Sequence, residues 1–412
     1  MECQDWRTRW LPSFPLATVS FHGQSASDSA TRSVVNSIAG TAITLIISII
    51  LLWTFVDWMR TDEAALYVVA PPKIPENREI LEEPSIKVGT RCLSLTQGGM
   101  KLCSDMHQVP GSSAIQCYAP ATGQLLGLVN PSTPAGIDRA IEQAHSAQQK
   151  WARTTFSQRC DVLRRLLAFV LQNQEEICRI ACIDSGKTMV DASLGEVLTT
   201  VEKLRWTIQH GEDTLCPSQR PTNLLLLYKR NTVYYEPLGV VAALVSWNYP
   251  CHNLLGPIIS AIFAGNGIVV KASENTAWSA NYFTMIAKDA LSACGHDPNL
   301  VQSVVCWPQV ADHLTSHSGI SHITFIGSRP VAKKVAASAA KALIPVVAEL
   351  GGKDVAIVLD SAASDLARVR ELLLRGTFQS AGQNCIGIER VIACPAVYDK
   401  LVQILEPRIR AI

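Results

Sequence analysis

The sequence has 412 residues, of which 48% are hydrophobic and 17% are charged, so it is long enough to bury the cores of two or three domains. This composition excludes a disordered chain. The formal net charge is only +1 and no block of lysines and arginines occurs, which argues against a nucleic-acid partner.

The first predicted element is a membrane anchor. Residues 33–56 read "SVVNSIAGTAITLIISIILLWTFV" without a charge, and a helix of ~20 apolar residues crosses the ~30 Å hydrocarbon core of a bilayer. A cleaved signal peptide is the alternative, but its apolar region would span only ~7 to 15 residues, and Trp53 and Trp58 suit the membrane interface. We therefore expect a tail over residues 1–32 and a single transmembrane helix over 33–56.

The thirteen cysteines indicate the compartment in which the rest of the chain lies. Their number is odd, they show no disulfide-like framework, and the one Asn-x-Ser/Thr match, at Asn130, contains the proline that prevents glycosylation. These features favour a reducing compartment. We therefore expect the part of the chain that follows the anchor to face the cytosol.

The region between the anchor and the first predicted sheet combines a linker, two helices and a hairpin. Residues 57–118 begin rich in proline and charge, which predicts a linker that leads into the edge of a domain. Apolar side chains at helical spacing then predict amphipathic helices over 133–152 and about 156–184. A β-hairpin set apart from any sheet is predicted over 218–237. Because such hairpins often pair with another subunit, we expect a homo-oligomer.

From Val233 onward, predicted strands and helices alternate. The strands are short apolar runs rich in β-branched residues, which is typical of strands buried on both faces of a parallel sheet. The predicted strands cover 239–247, 267–272, 301–305 and 322–327, with helices over 250–264 and 276–293 between them. Two further strands follow in "IPVVAELGGKDVAIVLD", and a helix over 363–381 leads to Cys385. The predicted fold class is α/β, with a doubly wound parallel sheet.

Polar residues follow three of these strands, at the carboxyl ends where open α/β sheets bind ligands. The dinucleotide fingerprint G-x-G-x-x-G is absent. Ser328 follows Gly327 at a predicted helix start, where unpaired N–H groups attract phosphate, although an ordinary N-cap serine is the simpler interpretation. Lys271 and Glu274, at the end of another strand, either hold a ribose or form a solvated charge pair.

Three more residues have the chemistry of an active site. Cys385 lies in the loop "AGQNC", and a loop cysteine near a carboxylate base can act as a nucleophile once it loses its proton. Glu349 follows an apolar strand. A carboxylate in such a semi-buried place has a raised pKa and acts as a general base, unless it is only a strand-end cap. Asn248 is either a turn former or a hydrogen-bond donor to an oxyanion.

No metal site is expected at this cysteine. The sequence contains no C-x-x-C pair, and the nearest histidine cluster, His313, His317 and His322, lies far from Cys385 along the chain. Cysteine chemistry without a metal ion is therefore the favoured interpretation.

Taken in this order, the segments "VSWNYP", "VVKASE", "FIGS", "VAELGGKD" and "GQNCIGIER" resemble the aldehyde dehydrogenase superfamily. The anchored N terminus resembles the membrane-bound plant and fungal branch of that superfamily. The likeness begins at "APATGQLLG", residues 119–127, includes "DSGKT", and continues to the end of the chain. It implies an NAD-binding domain over 119–351 and an incomplete catalytic domain over 352–412.

The resemblance also implies a role for each candidate catalytic residue. Cys385 would be the thiolate that attacks the carbon of a small-molecule aldehyde, and Asn248 with the Cys385 backbone N–H would form the oxyanion hole. Glu349 would be the base that activates water to hydrolyse the thioester, after hydride has left the thiohemiacetal for the nicotinamide.

The cofactor that the resemblance implies is NAD. Lys271 and Glu274 correspond to residues that hold the adenosine ribose, and Ser328 corresponds to a residue that contacts the pyrophosphate. Trp247 and Gly327 complete the expected cofactor-binding set. Because the carboxylate of Glu274 would repel the additional phosphate of NADP, we expect NAD to be preferred.

Two departures from the family pattern affect these expectations. Ala332 stands where the family usually has a glycine, which would tighten the approach of the cofactor. Relatives also continue well past the nucleophile, through an "E-x-F-G-P" segment whose glutamate holds the nicotinamide ribose. A truncated chain that binds dinucleotide without oxidising aldehydes is therefore expected.

Three further interpretations stay open at this point. The first is an active dehydrogenase of the endoplasmic reticulum membrane that oxidises an aliphatic or lipid-derived aldehyde on the cytosolic side. The second is a membrane-anchored protein that keeps the dinucleotide domain for binding or partner contact alone. The third, within the enzyme class, is acyl transfer to coenzyme A rather than to water.

Overall fold

The computed structural model describes residues 48–49, 67–75 and 113–411. Of the predicted transmembrane helix over 33–56, only residues 48 and 49 are described, and both are helical. The rest of that helix, and most of the predicted linker, lie outside the described residues. Within the described residues, no helix is long and apolar enough to cross a membrane. The described residues from 67 onward belong to one unit, which is described by itself below.

The first part of this unit is a β-hairpin followed by helices. Strands β1 and β2 are antiparallel, and a four-residue helix, α4, runs through one π-helical segment, Ser193–Leu198, into α5. The bounds are β1 Ile115–Tyr118, β2 Leu125–Val129, α1 Pro134–Trp151, α2 Phe156–Gln172, α3 Gln174–Ser185, α4 Met189–Ala192 and α5 Thr199–Leu215.

The two amphipathic helices predicted from periodicity are present, but the second is divided. At Asn173 the backbone N–H and the side-chain amide both donate to the carbonyl oxygen of Phe169, each at 2.9 Å. This local side-chain bond competes with the helical ladder, so α2 ends there and α3 starts anew. A capping box formed by Thr155 and Gln158 begins α2.

A separate two-stranded sheet follows α5. It consists of β3, Ser218–Arg220, and β4, Asn231–Val233, which pair in antiparallel fashion within the segment 218–237. The residues between the two strands are mostly exposed. They include the large side chains of Leu224, Leu225, Leu227 and Tyr228.

Five parallel strands form the main sheet, so the predicted doubly wound parallel sheet is confirmed. Their order is β7-β6-β5-β8-β9, with helices in the connections. The bounds are β5 Val240–Leu244, α6 His252–Phe263, β6 Gly267–Ala272, α7 Ala277–Ala293, β7 Val301–Val305, α8 Pro308–Thr315, β8 His322–Gly327, α9 Arg329–Ala340 and β9 Val346–Leu350.

The main sheet is covered by helices on both faces. All five residues of β5 are buried, and they alternate between two hydrophobic clusters. Val241 and Ala243 belong to the cluster that includes α2, α6 and α7, whereas Val240, Ala242 and Leu244 belong to the cluster that includes α1, α8 and α9. This burial on both faces explains why the strand sequence is apolar without alternation.

The order of the sheet also indicates one candidate place for a ligand. The chain builds β5, β6 and β7 outward in one direction and then returns to place β8 on the other side of β5. Open α/β sheets bind ligands in the crevice at such a reversal, outside the carboxyl ends of the strands.

The last part of the unit is a small parallel sheet. Strands β10 and β11 pair with each other, and they pack with α10 and α11 around Val358, Leu373, Val397 and Leu401. The bounds are β10 Asp354–Val358, α10 Leu366–Phe378, β11 Ile388–Ala393 and α11 Pro395–Arg410.

Helix α10 is shorter than the predicted helix over 363–381. After it ends, Ser380, Ala381 and Gly382 have φ angles of 55°, 58° and 73°. An α-helix cannot continue through left-handed residues. The chain therefore turns sharply before it reaches Cys385.

Candidate active site

A cavity of about 900 Å³ opens at the carboxyl ends of β5, β8 and β9. It brings together six of the eight residues that the sequence predicted for the site. These are Trp247, Asn248, Gly327, Ser328, Glu349 and Cys385.

The turn after β5 holds the side chain of Asn248 in one orientation. Its Oδ1 accepts hydrogen bonds from Ser246 Oγ at 2.7 Å and from Asn253 Nδ2 at 3.1 Å. Its Nδ2 donates to the carbonyl oxygen of Gln383 at 2.9 Å, two residues before Cys385. An amide nitrogen carries two hydrogens, so one remains for an oxyanion.

The left-handed turn before Cys385 is held by contacts from outside its own sheet. Asp191 Oδ2 accepts a hydrogen bond from Ser380 N at 3.0 Å, and Ser380 Oγ donates to Tyr249 Oη at 3.0 Å. Gln383 Nε2 donates to the carbonyl oxygen of Ser185 at 3.0 Å. Left-handed backbone costs roughly 1–2 kcal/mol per non-glycine residue, and these bonds offset that cost.

Cys385 and Glu349 line the same cavity. Burial raises the pKa of the Cys385 thiol, and Glu349 raises it further by hydrogen bonding to the thiol and by its negative charge. The backbone after Glu349 also contacts the cysteine, because Gly352 N donates to Cys385 O at 3.2 Å. The thiol is therefore held protonated beside a base that can accept its proton.

The position of Glu349 corrects one expectation from the sequence. The residue is exposed, whereas a semi-buried carboxylate was predicted. The reason is that β9 is an edge strand, which within the described residues pairs only with β8. An apolar strand pattern predicted cover on both faces, but it did not predict that this strand lies at the edge.

Gly327 and Ser328 connect β8 to α9 at the cavity. A Cβ atom on Gly327 would lie 2.8 Å from the end of the Phe325 ring, so a larger residue here would displace that ring. Ser328 is the N-cap of α9, but its side chain makes no capping hydrogen bond. The simple N-cap interpretation therefore does not account for this hydroxyl.

Ala332 does not approach the cavity. Its side chain is buried in the hydrophobic cluster between α9 and the main sheet, and it is absent from the cavity lining. The departure from the family's glycine therefore falls on the core side of α9, not on the ligand side.

Lys271 and Glu274 are the two predicted residues that do not line the cavity. They lie at the end of β6 and in the 3₁₀ turn that follows, and Lys271 Nζ donates to Glu274 Oε2 at 2.8 Å. Both side chains are partly buried, so this is not the fully solvated pair that was the alternative.

The sequence model of the aldehyde dehydrogenase family matches residues 108–412. The chain belongs to the aldehyde dehydrogenase family. Two curated relatives are aldehyde dehydrogenase-like proteins of yeasts. The protein of Schizosaccharomyces pombe is 54% identical over 298 residues, which are 72% of this chain and 57% of the relative. The protein of Saccharomyces cerevisiae is 53% identical over 305 residues, which are 72% of this chain and 47% of the relative. The chain thus spans about half the length of the curated relatives it matches.

Solved structures of similar fold include a complex with NAD+ and an enzyme described as NADP dependent. The aldehyde dehydrogenase of Mycobacterium tuberculosis complexed with NAD+ has a TM-score of 0.66 and 26% identity, over 73% of this chain and 61% of that chain. An Escherichia coli NADP dependent enzyme also has a TM-score of 0.66 and 26% identity, over 72% of this chain and 60% of that chain.

Two residues of this aldehyde dehydrogenase family member escaped the sequence analysis. Lys187 and Glu196 form an ion pair at 2.6 Å behind the Asn248 turn, and neither side chain has exposed surface. Lys187 lies in the "DSGKT" segment that carried part of the family resemblance, which was the one available signal. Periodicity could not find Glu196, because the π-helical segment shifts the face on which it lies.

One cluster in the described part of the chain has three side chains close enough to hold a metal ion. It consists of Asp138, His313 and His317, whose ligand atoms lie within 4.8 Å of one another. None of the three lines the cavity of Cys385. The expectation that the cysteine site works without a metal stays a prediction.

Proposed function

We propose that this protein oxidises an aldehyde to a carboxylic acid with NAD, using Cys385 as the nucleophile. The observation that carries the proposal is the convergence of Cys385, Glu349 and Asn248 on one cavity at the reversal point of the sheet. A thiol, a neighbouring base and an amide donor are the groups that this acyl chemistry requires.

In the first step, Glu349 accepts the proton of Cys385 and the thiolate adds to the carbonyl carbon of the aldehyde. As the C–S bond forms, the π bond of the carbonyl breaks and its electron pair moves to the oxygen, so an oxyanion develops. The second amide hydrogen of Asn248 and the backbone N–H of Cys385 stabilise that oxyanion. A donor of this kind contributes roughly 10² to 10³ in rate.

The residues at the strand ends fit a dinucleotide. The first turn of α9, together with the Ser328 hydroxyl that makes no capping bond, offers donors to a pyrophosphate. Trp247 and Gly327 line the same cavity. Lys271 and Glu274 would hold the adenosine ribose beyond it. The bound cofactor supplies the acceptor for the hydride that leaves the carbon attached to Cys385.

After the oxidation, the acyl group is a thioester on Cys385. Glu349 first loses to solvent the proton that it took from Cys385, and it then removes a proton from water. The resulting hydroxide attacks the acyl carbon, and the C–S bond breaks to release the carboxylic acid and the Cys385 thiolate. The exposed position of Glu349 gives it access to this water. Transfer of the acyl group to coenzyme A would replace this step, and thioester product instead of acid would reveal it.

NAD is the proposed cofactor rather than NADP. The carboxylate of Glu274 lies at the end of β6, where it would repel the additional phosphate of NADP. A kcat/KM with NAD at least about tenfold above that with NADP is expected, which corresponds to ~1.4 kcal/mol. Equal values with the two cofactors would reject this preference.

The test of the proposed reaction compares two cysteine variants. We expect Cys385→Ser to abolish NADH production from a panel of aliphatic aldehydes, while the affinity for NAD measured by calorimetry stays within about twofold. Cys394→Ser, at the N-cap of α11, is the matched control and should keep its activity. Robust turnover by Cys385→Ser would contradict the assignment.

A second candidate function is dinucleotide binding without turnover. The exposure of Glu349 favours it, because an exposed carboxylate is less well prepared to act as a base than a buried one. Binding of NAD by calorimetry, together with no NADH from any aldehyde of the panel, would support this candidate over the first.

We also propose that the protein is anchored through residues 33–56 in the endoplasmic reticulum membrane, with its catalytic part in the cytosol. An aliphatic or lipid-derived aldehyde is then the accessible substrate. Deletion of residues 1–60 should release the protein from the membrane pellet, and its persistence there would indicate another attachment. The exposed leucines and tyrosines of the 218–237 segment are the proposed contact to a second copy, which sedimentation can test.

A further inference from the structure

A buried ion pair lies directly behind the turn that carries Asn248. Lys187 Nζ and Glu196 Oε1 are 2.6 Å apart, and neither side chain has any exposed surface. Lys187 comes just after α3, and Glu196 lies in the π-helical segment between α4 and α5. Neither residue lines the cavity, so neither contacts a substrate there.

The pair holds the turn from two sides. Lys187 Nζ donates to the carbonyl oxygen of Asn248 at 2.7 Å, and the ammonium group lies 4.0 Å from the centre of the Tyr249 ring. Glu196 Oε2 accepts from the backbone N–H of Cys251 at 3.1 Å and of His252 at 2.8 Å. The backbone from residue 248 to residue 252 is thus bound to the ion pair at both ends.

Local structure is adapted to this contact. A π-helical segment is rare, and such segments are frequent at functional sites because they redirect one side chain. Here the segment contains Glu196 and, next to it, Gly195. A Cβ atom on Gly195 would lie 2.4 Å from the Tyr249 ring, so the approach of the segment to the turn requires a glycine.

Stability alone does not account for the pair. Two buried charges cost desolvation free energy that their attraction offsets only partly, and a well-packed apolar pair often serves a core as well. The hydrogen bonds that this pair makes to other residues all go to the backbone of the Asn248 turn, residues 248–252. Two residues of that turn bond to the loop before Cys385. Asn248 Nδ2 donates to Gln383 O, and Tyr249 Oη accepts from Ser380 Oγ.

We infer that Lys187 and Glu196 are positioning residues that hold the Asn248 amide in place for the oxyanion and link it to the Cys385 loop. The inference rests on the proposed function for its catalytic part. The pair acts through Asn248, so removing its charges should disturb the oxyanion donor and the loop without affecting the cofactor residues at β6 and β8.

The test uses two variants of the pair and one control. Lys187→Met keeps the length of the side chain and removes the ammonium donor. Lys187→Met/Glu196→Gln removes both charges, so no unpaired charge stays buried and the protein can fold. Arg179→Met is the matched control, because Arg179 forms its ion pair with Glu176 on the surface, away from the site.

Activity supplies the first readout. We expect each pair variant to lower kcat by about 10² to 10³, the range for loss of an oxyanion donor, with KM for NAD within about twofold of the original. Added to Asn248→Ala, the Lys187→Met change should lower kcat by no more than about twofold further. An additional loss of tenfold or more would show that Lys187 acts independently of Asn248, and would overturn the inference.

Hydrogen exchange supplies a readout that does not need activity. In both pair variants, peptides covering 246–253 and 379–386 should exchange at least about tenfold faster, while peptides of β6, β7 and α9 stay unchanged. Asn248→Ala should accelerate the 379–386 peptide, with a smaller effect on 246–253, because the ion pair still holds the backbone of the turn. This pattern in a protein that oxidises no aldehyde would support the positioning role and reject the proposed function.

Three results would reject the positioning role. One is an active protein in which the hydrogen exchange of peptides 246–253 and 379–386 is the same in the pair variants as in the original chain. Another is faster exchange spread equally over the whole unit. The third is failure of the double variant to fold, since it would show that the pair supports the fold as a whole and not this turn. The Arg179→Met control should leave kcat and both peptides unchanged.

Discussion

The main five-stranded sheet and the small parallel sheet of β10 and β11 both contribute to the cavity of Cys385, but they are built differently. Every residue of β5 is buried, whereas Ile357 in β10 and Ile392 in β11 are 64% and 57% exposed. The main sheet supplies Asn248 and Ser328 from the ends of two inner strands, and Glu349 from the exposed edge strand β9. The smaller sheet supplies Cys385 from a loop that is held mainly by polar contacts to α3, α4 and the Asn248 turn.

This difference shows which forces locate each part of the site. Apolar burial fixes the ends of β5 and β8, because moving either strand would expose core side chains. The nucleophile depends on a few directional hydrogen bonds to a backbone with unfavourable φ angles. We therefore expect substitutions in the main sheet to change stability, and substitutions at the loop contacts to change turnover.

The largest expected effect concerns Asp184, which is buried between α3 and α7. Its Oδ2 accepts a hydrogen bond from Ser279 N at 3.2 Å, and burial raises the pKa of its carboxyl from 3.8 to about 7. A carboxyl whose pKa is higher in the folded than in the unfolded protein destabilises the fold progressively as pH rises from about 4 to 7. We expect Asp184→Asn to be more stable at pH 8, by on the order of 1–4 kcal/mol.

Urea unfolding at several pH values tests this expectation. The advantage of Asp184→Asn should shrink as the pH falls to 4 and disappear near pH 3, where the carboxyl is largely protonated in both states. Asp161→Asn, at an exposed aspartate paired with Arg164, is the control and should change the free energy of unfolding at pH 8 by less than about 1 kcal/mol. A constant difference between pH 4 and pH 8 would contradict burial as the cause.

An intermediate effect is expected at Asp191 in α4, which contacts α10 and the loop that leads to Cys385. Its side chain is 5% exposed, forms an ion pair with Arg375 at 2.7 Å, and accepts the backbone N–H of Ser380. Asp191→Asn keeps the shape but weakens both contacts, so the Cys385 loop should lose its fixed position. We expect kcat to fall by about 10- to 100-fold, with little change in NAD affinity.

Steady-state kinetics and calorimetry with NAD distinguish a displaced Cys385 loop from a loss of the overall fold, because only the second would also weaken NAD binding. Glu202→Gln, which removes an exposed surface carboxylate paired with Arg205, is the control and should keep its kcat. If Asp191→Asn retained its full kcat, the loop would not depend on this contact, and the contrast between the two sheets would be weaker than described.

The smallest effect is expected at Ala381, whose φ of 58° lies in the left-handed region. Glycine adopts this conformation without the steric cost of a Cβ atom, so Ala381→Gly should stabilise the protein by about 1 kcal/mol. In the middle of α9, the exposed Ala336 has helical backbone, and Ala336→Gly should destabilise by about 1 kcal/mol. Thermal unfolding measures both, and equal signs would contradict the role of the φ angle.

Much of the main sheet could be predicted because strands that are buried on both faces appear in the sequence as short apolar runs. The predicted strands over 267–272 and 322–327 coincide with β6 and β8. The strand predicted over 239–247 ends at Leu244, because the polar groups of Ser246 and Asn248 bond to each other in a turn. The apolar pattern does not indicate this end, since it continues through Val245.

The sequence by itself determined the alternation of buried strands and helices, and with it the strand ends that carry Asn248, Ser328 and Glu349. These follow from periodicity and composition, which depend on neighbours along the chain. Only the tertiary structure decided that Glu349 lies on an exposed edge strand, and that Lys187 and Glu196 meet behind Asn248. Such contacts depend on which strands become neighbours and on how a π-helical segment turns a side chain, and short-range pattern carries no information about either.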